Sequence, residues 1–274
     1  MMIRSNRTFV PSGNRSDAGR WLCIGAAAFT LAFSPLASAN HTVLVEGESD
    51  FDGDGMTGTD EDSDGDQVFG TIGAAVSGVG DNGKVMIVTS GRFLEQVNLV
   101  GNGVTVLEAA PGVDATIGAF QGGGEPGAND TRQQQAGIVV DTDGSFPIVI
   151  RNITSRNWTD GISVRGASRV TIDDVRLDSN VNYGIRVQHD ARVVVTDSSI
   201  TSSGYRKSGT LGATPGGDIP PQPGTGIRFE DRSSGIVSFT TVTQSFDAGI
   251  HSNGRVRLLA NTVFDNAHNY RGFW

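Results

Sequence analysis

Ile148-Val-Ile-Arg-Asn-Ile-Thr-Ser-Arg-Asn157-Trp-Thr-Asp-Gly161-Ile162-Ser-Val164 is followed by Val170-Thr-Ile172-Asp-Asp-Val175-Arg-Leu177-Asp-Ser-Asn180-Val-Asn-Tyr183-Gly184-Ile185-Arg-Val187. Both stretches run apolar-x-apolar, two polar residues, an apolar residue, then Asn, three residues and Gly-Ile-x-Val. The pattern starts a third time at Val193. Self-similarity at this period, with alternation inside each unit, marks one coil of a β-helix stacked on the next. Gly-Ile pairs begin at Gly137, Gly161, Gly184, Gly226 and Gly249, in steps of 24, 23, 42 and 23. The excess of the long step is the Pro/Gly-rich segment 204–224. A second polar stretch without period covers 120–136. Both read as long loops, which in a compact fold are usually functional or disordered. Each enters just before a Gly-Ile strand, so both leave from the same edge of the stack.

In a parallel sheet each Gly-Ile strand lies about 4.8 Å from the last, and side chains alternate between faces. Ile162, Val164, Ile185, Val187, Ile227, Phe229 and Ile250 then point inward. One outward column is Val139, Ser163, Arg186, Arg228 and His251. A second is Asp141, Arg165, Gln188, Glu230 and Asn253. Asp160, Tyr183, Thr225 and Ala248 stand at the strand entrance. Asn157, Asn180, Ser203 and Ser245 fall at matching turn positions and read as an internal polar ladder that satisfies neighbouring backbone.

The ends of the chain set the context. Arg4, Arg7, Arg15 and Arg20 precede an apolar run from Trp21 to Leu36, and Ala37-Ser38-Ala39 is a small-x-small site. Residues 1–39 therefore read as a secretory signal cleaved after Ala39, for a periplasmic or extracellular protein with no membrane span in its mature form. The single Cys, Cys23, leaves with it, so no disulfide is expected. Losing four Arg and one Asp takes the net charge from −9 to −12. That charge argues against nucleic acid or an anionic membrane as partner.

Residues 40–68 form an acidic segment. Ten of the 21 residues from Glu46 to Asp66 are carboxylates. From Asp50 the spacing is Asp-x-Asp-x-Asp-Gly-x5-Glu, a calcium-loop pattern. Asp50, Asp52 and Asp54, the Met56 carbonyl and Glu61 are its candidate ligands, because oxygens at these spacings converge on one hard cation. No amphipathic helix flanks the loop, and Asp60-x-Asp62-x-Asp64-Gly65 begins a second partial copy. In both respects the segment resembles the helix-poor calcium loops of thrombospondin type 3 repeats more than an EF-hand. The competing reading is a solvated acidic leader.

Phe69 to Val79 carries apolar residues at helical spacing after Thr71, a capping residue, and is expected to cover the open end of the stack. Thr42-Val-Leu-Val45 reads as an edge strand. Lys84-Val-Met-Ile-Val88, the turn Gly91-Arg-Phe-Leu-Glu95, Val97-Asn-Leu99 and Gly103-Val-Thr-Val-Leu107 follow. This run resembles the first coil of pectate lyase-like right-handed parallel β-helix proteins, and the resemblance extends over residues 69–267. It implies an all-β, single-stranded right-handed parallel β-helix solenoid with a short N-terminal capping helix, occupying residues 69–274.

The resemblance is one of fold pattern and brings no catalytic motif. Polygalacturonases carry Asn-Thr-Asp, Asp-Asp, Gly-His-Gly and Arg-x-Lys. Here Asn157-Trp-Thr-Asp160 is one residue too long, Asp173-Asp174 falls on another strand, and the other two motifs are absent. Alginate epimerases carry Tyr-Gly-x-Asp-Pro-His. Here Tyr183-Gly-Ile-Arg-Val-Gln-His189 lacks the Asp, and its His is one place late, in a turn. Catalytic residues are therefore unassigned.

Arg165, Tyr183, Arg186, Arg228, Glu230 and His251 are the candidate substrate-binding residues, since guanidinium groups bind carboxylates bidentately. The bland alternative is an ion-pair ladder on a solvated face, Arg165 with Asp141 and Arg228 with Glu230. Three functions follow: a secreted carbohydrate-binding β-helix, a lyase or hydrolase acting on acidic polysaccharide, and a structural module with calcium at its N-terminal segment.

Overall fold

A computed structural model describes residues 41–46, 67–101, 103–118, 136–204 and 224–272. The expected signal segment, the acidic calcium-loop candidates Asp50 to Glu61 and the interiors of both expected loops lie outside the described residues. Within the described residues no helix is long and apolar enough to cross a membrane.

The strands form three parallel sheets, here named A, B and C, of nine, seven and seven strands. Each coil contributes one strand to each sheet in turn. Pro147–Arg151, Thr154–Arg156 and Asp160–Gly166 make one coil; Arg169–Asp173, Arg176–Asp178 and Tyr183–Val187 make the next. These are the two lines of the opening repeat, stacked with Ile162 beside Ile185 and Val164 beside Val187. The inward residues on sheet C, from Ile162 to Ile250, are fully buried. They form one apolar core with those of sheets A and B, so burial of the alternate face fixes the register.

Two corners of the coil obey different rules. Sheets A and B meet at a single residue in the left-handed region, as at Asn152, Asp174 and Asp197 with φ of 54°, 50° and 48°. Asn and Asp tolerate this conformation because their short polar side chains bond locally. Sheets B and C meet more tightly. A β-carbon on Gly184 would stand 2.4 Å from Ile200 Cγ2 and 2.6 Å from the Gly226 carbonyl. On Gly226 it would stand 2.3 Å from Val242 Cγ1 and 2.6 Å from the Gly249 carbonyl. The Gly of each Gly-Ile pair is therefore the gap into which the sheet B side chain fits.

The same corner corrects the polar ladder. Asn157 has φ 63° and aligns with Ser179, Ser202, Gln244 and Asp265, all in the left-handed region. The ladder position is the next residue: Trp158, Asn180, Ser203, Ser245 and Asn266. Asn180 accepts from Trp158 N at 3.2 Å and donates to the Ser155 carbonyl. Asn266 repeats this with Ser245 N and the Val242 carbonyl. The indole of Trp158 fills the site on its own coil and donates to the Ile117 carbonyl. Counting back from Gly-Ile misplaces Asn157 because the spacer before sheet C varies by one residue.

At the N-terminal end, the helix Ile72–Gly78 buries Ile72, Ala75 and Val76 against the first strands of sheets A and C. Phe69, expected in the helix, instead belongs to the strand Val68–Phe69. Thr71 caps the helix by accepting from Ala74 N. Glu95 accepts from Ile72 N and Gly73 N, both at 2.8 Å. The Glu of the Gly-Arg-Phe-Leu-Glu turn thus satisfies amide groups that a helix leaves open. His41–Val45 is not the edge strand: it lies between Val68–Phe69 and Gly83–Ile87.

Gly184→Ala is expected to lower stability by about 1–3 kcal/mol, the usual cost of overpacking. Chemical denaturation with a shifted midpoint would show it, and an unchanged midpoint would mean that the corner relaxes freely.

Candidate functional site

Sheet C carries the outward columns, and their register is as the alternation requires. Val139, Ser163, Arg186, Arg228 and His251 are successive neighbours across the strands, extended by Asn98 before and Arg271 after. Asp160, Tyr183, Thr225 and Ala248 line the entrance in the same way. The residues that bound the two expected loops stand at the B–C corner beside this face: Gly118 and Ala136 for the first, and Gly204 and Gly224, whose backbones touch, for the second. Ala136, assigned to a loop by its composition, is the buried first residue of a strand.

Three of the six candidate residues, Tyr183, Arg186 and Glu230, form one connected set with Asp160, and Arg228 and His251 form a separate pair. Arg186 Nε donates to Glu230 Oε1 at 2.9 Å, and its Nη1 lies 3.9 Å from Asp160 Oδ2. Its guanidinium carbon sits 5.3 Å from the centroid of the Tyr183 ring, a cation–π distance. Gln188 Nε2 donates to the other oxygen of Glu230 at 3.2 Å. Arg228 donates to His251 Nδ1. Arg165 stands apart and pairs with Asp141 at 2.8 Å, as expected of the ion-pair ladder.

The other expected rung is wrong: Glu230 pairs with Arg186 and not with Arg228. The long Arg186 side chain reaches diagonally to the following coil, a distance open to long side chains in a sheet. Arg228 is left with a neutral partner. Burial, together with the charges of Arg228 and Arg271, holds the His251 imidazole below its ordinary 6.5. Among the described residues no carboxylate forms an ion pair with Arg228.

The residue that the site reading left out is Asp160. It is 6% exposed, and its Oδ1 has no hydrogen-bond partner among the described residues. Burial pushes its carboxyl up from 3.8 to about 7; Arg186 pulls against this and the charge of Glu230 adds to it. Burial likewise raises the Tyr183 phenol against Arg186 and Arg228. Thr159, Asn182 and Thr225 also hold buried side-chain oxygens at this entrance without partners among the described residues. The signal in the sequence was the column Asp160–Tyr183, which sets a carboxyl beside an aromatic ring one coil away.

Other single residues fall elsewhere. Asp173 and Asp174 end a sheet A strand at the A–B corner. Burial and the neighbouring charges of Asp197 and Asp174 raise the Asp173 carboxyl. His189 has φ 55° and is a turn residue, as its place opposite Gly166 implies. Among the described residues no group of His, Cys, Asp and Glu is arranged to hold a metal.

A family model described as "right handed beta helix region" matches residues 136–273. Among solved structures, an alginate lyase from Paenibacillus sp. str. FPU-7 is similar at 12% identity and a TM-score of 0.44. The match covers 69% of this chain and 72% of that one. No curated protein matches the chain.

The unfolded Asp160 carboxyl releases its proton near 3.8 and the folded one near 7. Between these values the folded chain binds the extra proton, so this group's contribution to stability falls as pH rises through that window and is flat above it. Urea midpoints measured from pH 5 to pH 8 are expected to decline in the wild type. Asp160→Asn should flatten that decline, and an unaltered slope in the variant would refute the assignment.

Proposed function

This chain belongs to the right-handed β-helix family, and we propose that it binds a carbohydrate containing uronate groups along the outward face of sheet C. The observation that carries this reading is Arg228, whose guanidinium is partnered by a neutral imidazole on a face where Arg165 and Arg186 have carboxylate partners. A sugar carboxylate supplies the missing charge, with the bidentate geometry that guanidinium favours. The neighbouring groups suit a sugar ring. Tyr183 offers an apolar face with a polar tip, while Gln188, Glu230 and Asp160 offer donors and acceptors for hydroxyls. Regular stacking of the coils sets these groups at a spacing of about 4.8 Å, which favours an extended ligand over a compact one.

A second reading, cleavage of an acidic polysaccharide, is favoured by Asp160 alone. A carboxyl that titrates near 7 is matched to proton transfer at neutral pH. In that reading Arg228 neutralises the uronate carboxylate, and Asp160 takes or gives the proton at the sugar carbon or the glycosidic oxygen.

The two readings separate in one set of measurements. The purified protein is incubated with polygalacturonate and with alginate, first with calcium and then with chelator. Retention without unsaturated product or new reducing ends supports binding; product that disappears in Asp160→Asn supports cleavage. Arg228→Gln is expected to weaken retention at least tenfold, the loss of one charge-assisted hydrogen-bonded pair. Retention unchanged by that substitution would remove sheet C as the binding face.

A further inference from the structure

The turn from sheet C into sheet A carries a second feature, outside the set around Arg186. It is an open cleft of about 500 Å³ whose rim holds Arg192, Arg232 and Arg255 against one carboxylate, Asp190. In a chain of net charge −9 this is a local excess of positive charge. The fold creates it by column. Arg169, Arg192, Ser234 and Arg255 are successive neighbours at the first position of sheet A strands. Arg169 and Arg192 are directly adjacent, an arrangement of like charges that costs stability unless something offsets it. Ser234 then interrupts the column, so Arg192 and Arg255 flank a small residue from strands about 10 Å apart, two strand spacings.

The floor is low for a related reason. Gly254 packs so tightly that a β-carbon would stand 2.3 Å from the Ser233 carbonyl. Arg232 leaves the turn with φ 67° and reaches Asp190 at 3.6 Å, which cancels one of the three charges. Arg192 and Arg255 have no ion-pair partner among the described residues.

We propose that this cleft is a separate anion-binding subsite, taking a sulfate or carboxylate group of an acidic polysaccharide between Arg192 and Arg255 above Ser234. Asn253 lines the cleft and also continues the sheet C column that holds Glu230. A chain lying across sheet C therefore reaches the cleft. Only the choice of a polymer over a free anion rests on the reading of sheet C; the anion site stands on its own residues.

The test uses calorimetry on the full chain with three probes: inorganic sulfate, a galacturonate oligomer and a sulfated dextran oligomer. Arg192→Gln/Arg255→Gln is expected to weaken binding of the sulfated oligomer at least tenfold, while Arg176→Gln, at an exposed position on sheet B, leaves it within twofold. Wild-type binding of that oligomer should weaken as salt is raised. Both substitutions in the double variant lie on exposed side chains, and circular dichroism checks its fold. No binding of the sulfated oligomer to the wild type overturns the proposal, as does equal binding by wild type and double variant. Inorganic sulfate binding as tightly as the oligomer overturns the assignment to a polymer. Galacturonate binding lost in Arg228→Gln and kept in the double variant would support sheet C and count against the cleft; the converse pattern would support the cleft and count against sheet C.

Discussion

The rest of the structure depends on the absence of a side chain at one position of five successive coils. A β-carbon on Gly137, Gly161, Gly184, Gly226 or Gly249 would lie 2.3 to 2.7 Å from a neighbouring atom. In the last three the nearest atom is a methyl carbon on a sheet B strand. At Gly161, Gly184 and Gly226 the carbonyl of the following glycine is equally close. The gap lets sheets B and C close on one another and lets coils stack at hydrogen-bonding distance. It also explains why Gly and the next apolar residue recur as a pair: the first admits the sheet B side chain, and the second fills the core beside it. Interiors packed to this density do not absorb even one added methyl without cost.

That closure has a consequence on the outside. Sheet C holds its strands in strict register, so outward side chains stand in columns whose members are chosen by sequence spacing alone. Charged residues in such columns must find partners within one or two coils. Arg165 does so within its register, with Asp141. Arg186 does so diagonally, with Glu230. Among the described residues Arg228 then has only an imidazole, and Asp160 is held at the entrance with its proton retained to about 7. The proposed glycan face is the residue of this partner-finding, where charge and hydrogen-bonding capacity stay unspent.

How much of this was legible in the sequence depended on the length of the side chain involved. The inward column from Ile162 to Ile250 and the outward column from Val139 to His251 follow from a period of two, and both stand in the structure. The helix cap was legible at Thr71, because a hydroxyl before an apolar run has one local use. Its second cap, Glu95, was legible only as a turn residue, since the amides it accepts from lie 22 and 23 residues earlier. Asn157 was misassigned because spacing back from Gly-Ile and spacing forward from sheet B differ by one residue on that coil. Arg186–Glu230 was missed because counting along strands pairs Arg228 with Glu230, whereas a guanidinium four bonds from the backbone reaches the adjacent coil.

The sequence by itself determined the coil, its inside and outside, and the edge from which the long loops leave. Those depend on alternation and on glycine spacing, which are properties of a single strand. Tertiary structure alone decided which charges cancel, which carboxyl keeps its proton, and that the turn into sheet A encloses a cleft rimmed by Arg192, Arg232 and Arg255. These depend on distances between side chains of different coils and on the burial of a group such as Asp160. Neither is written in the order of residues, because both arise only when separate coils are brought within a few ångströms of one another.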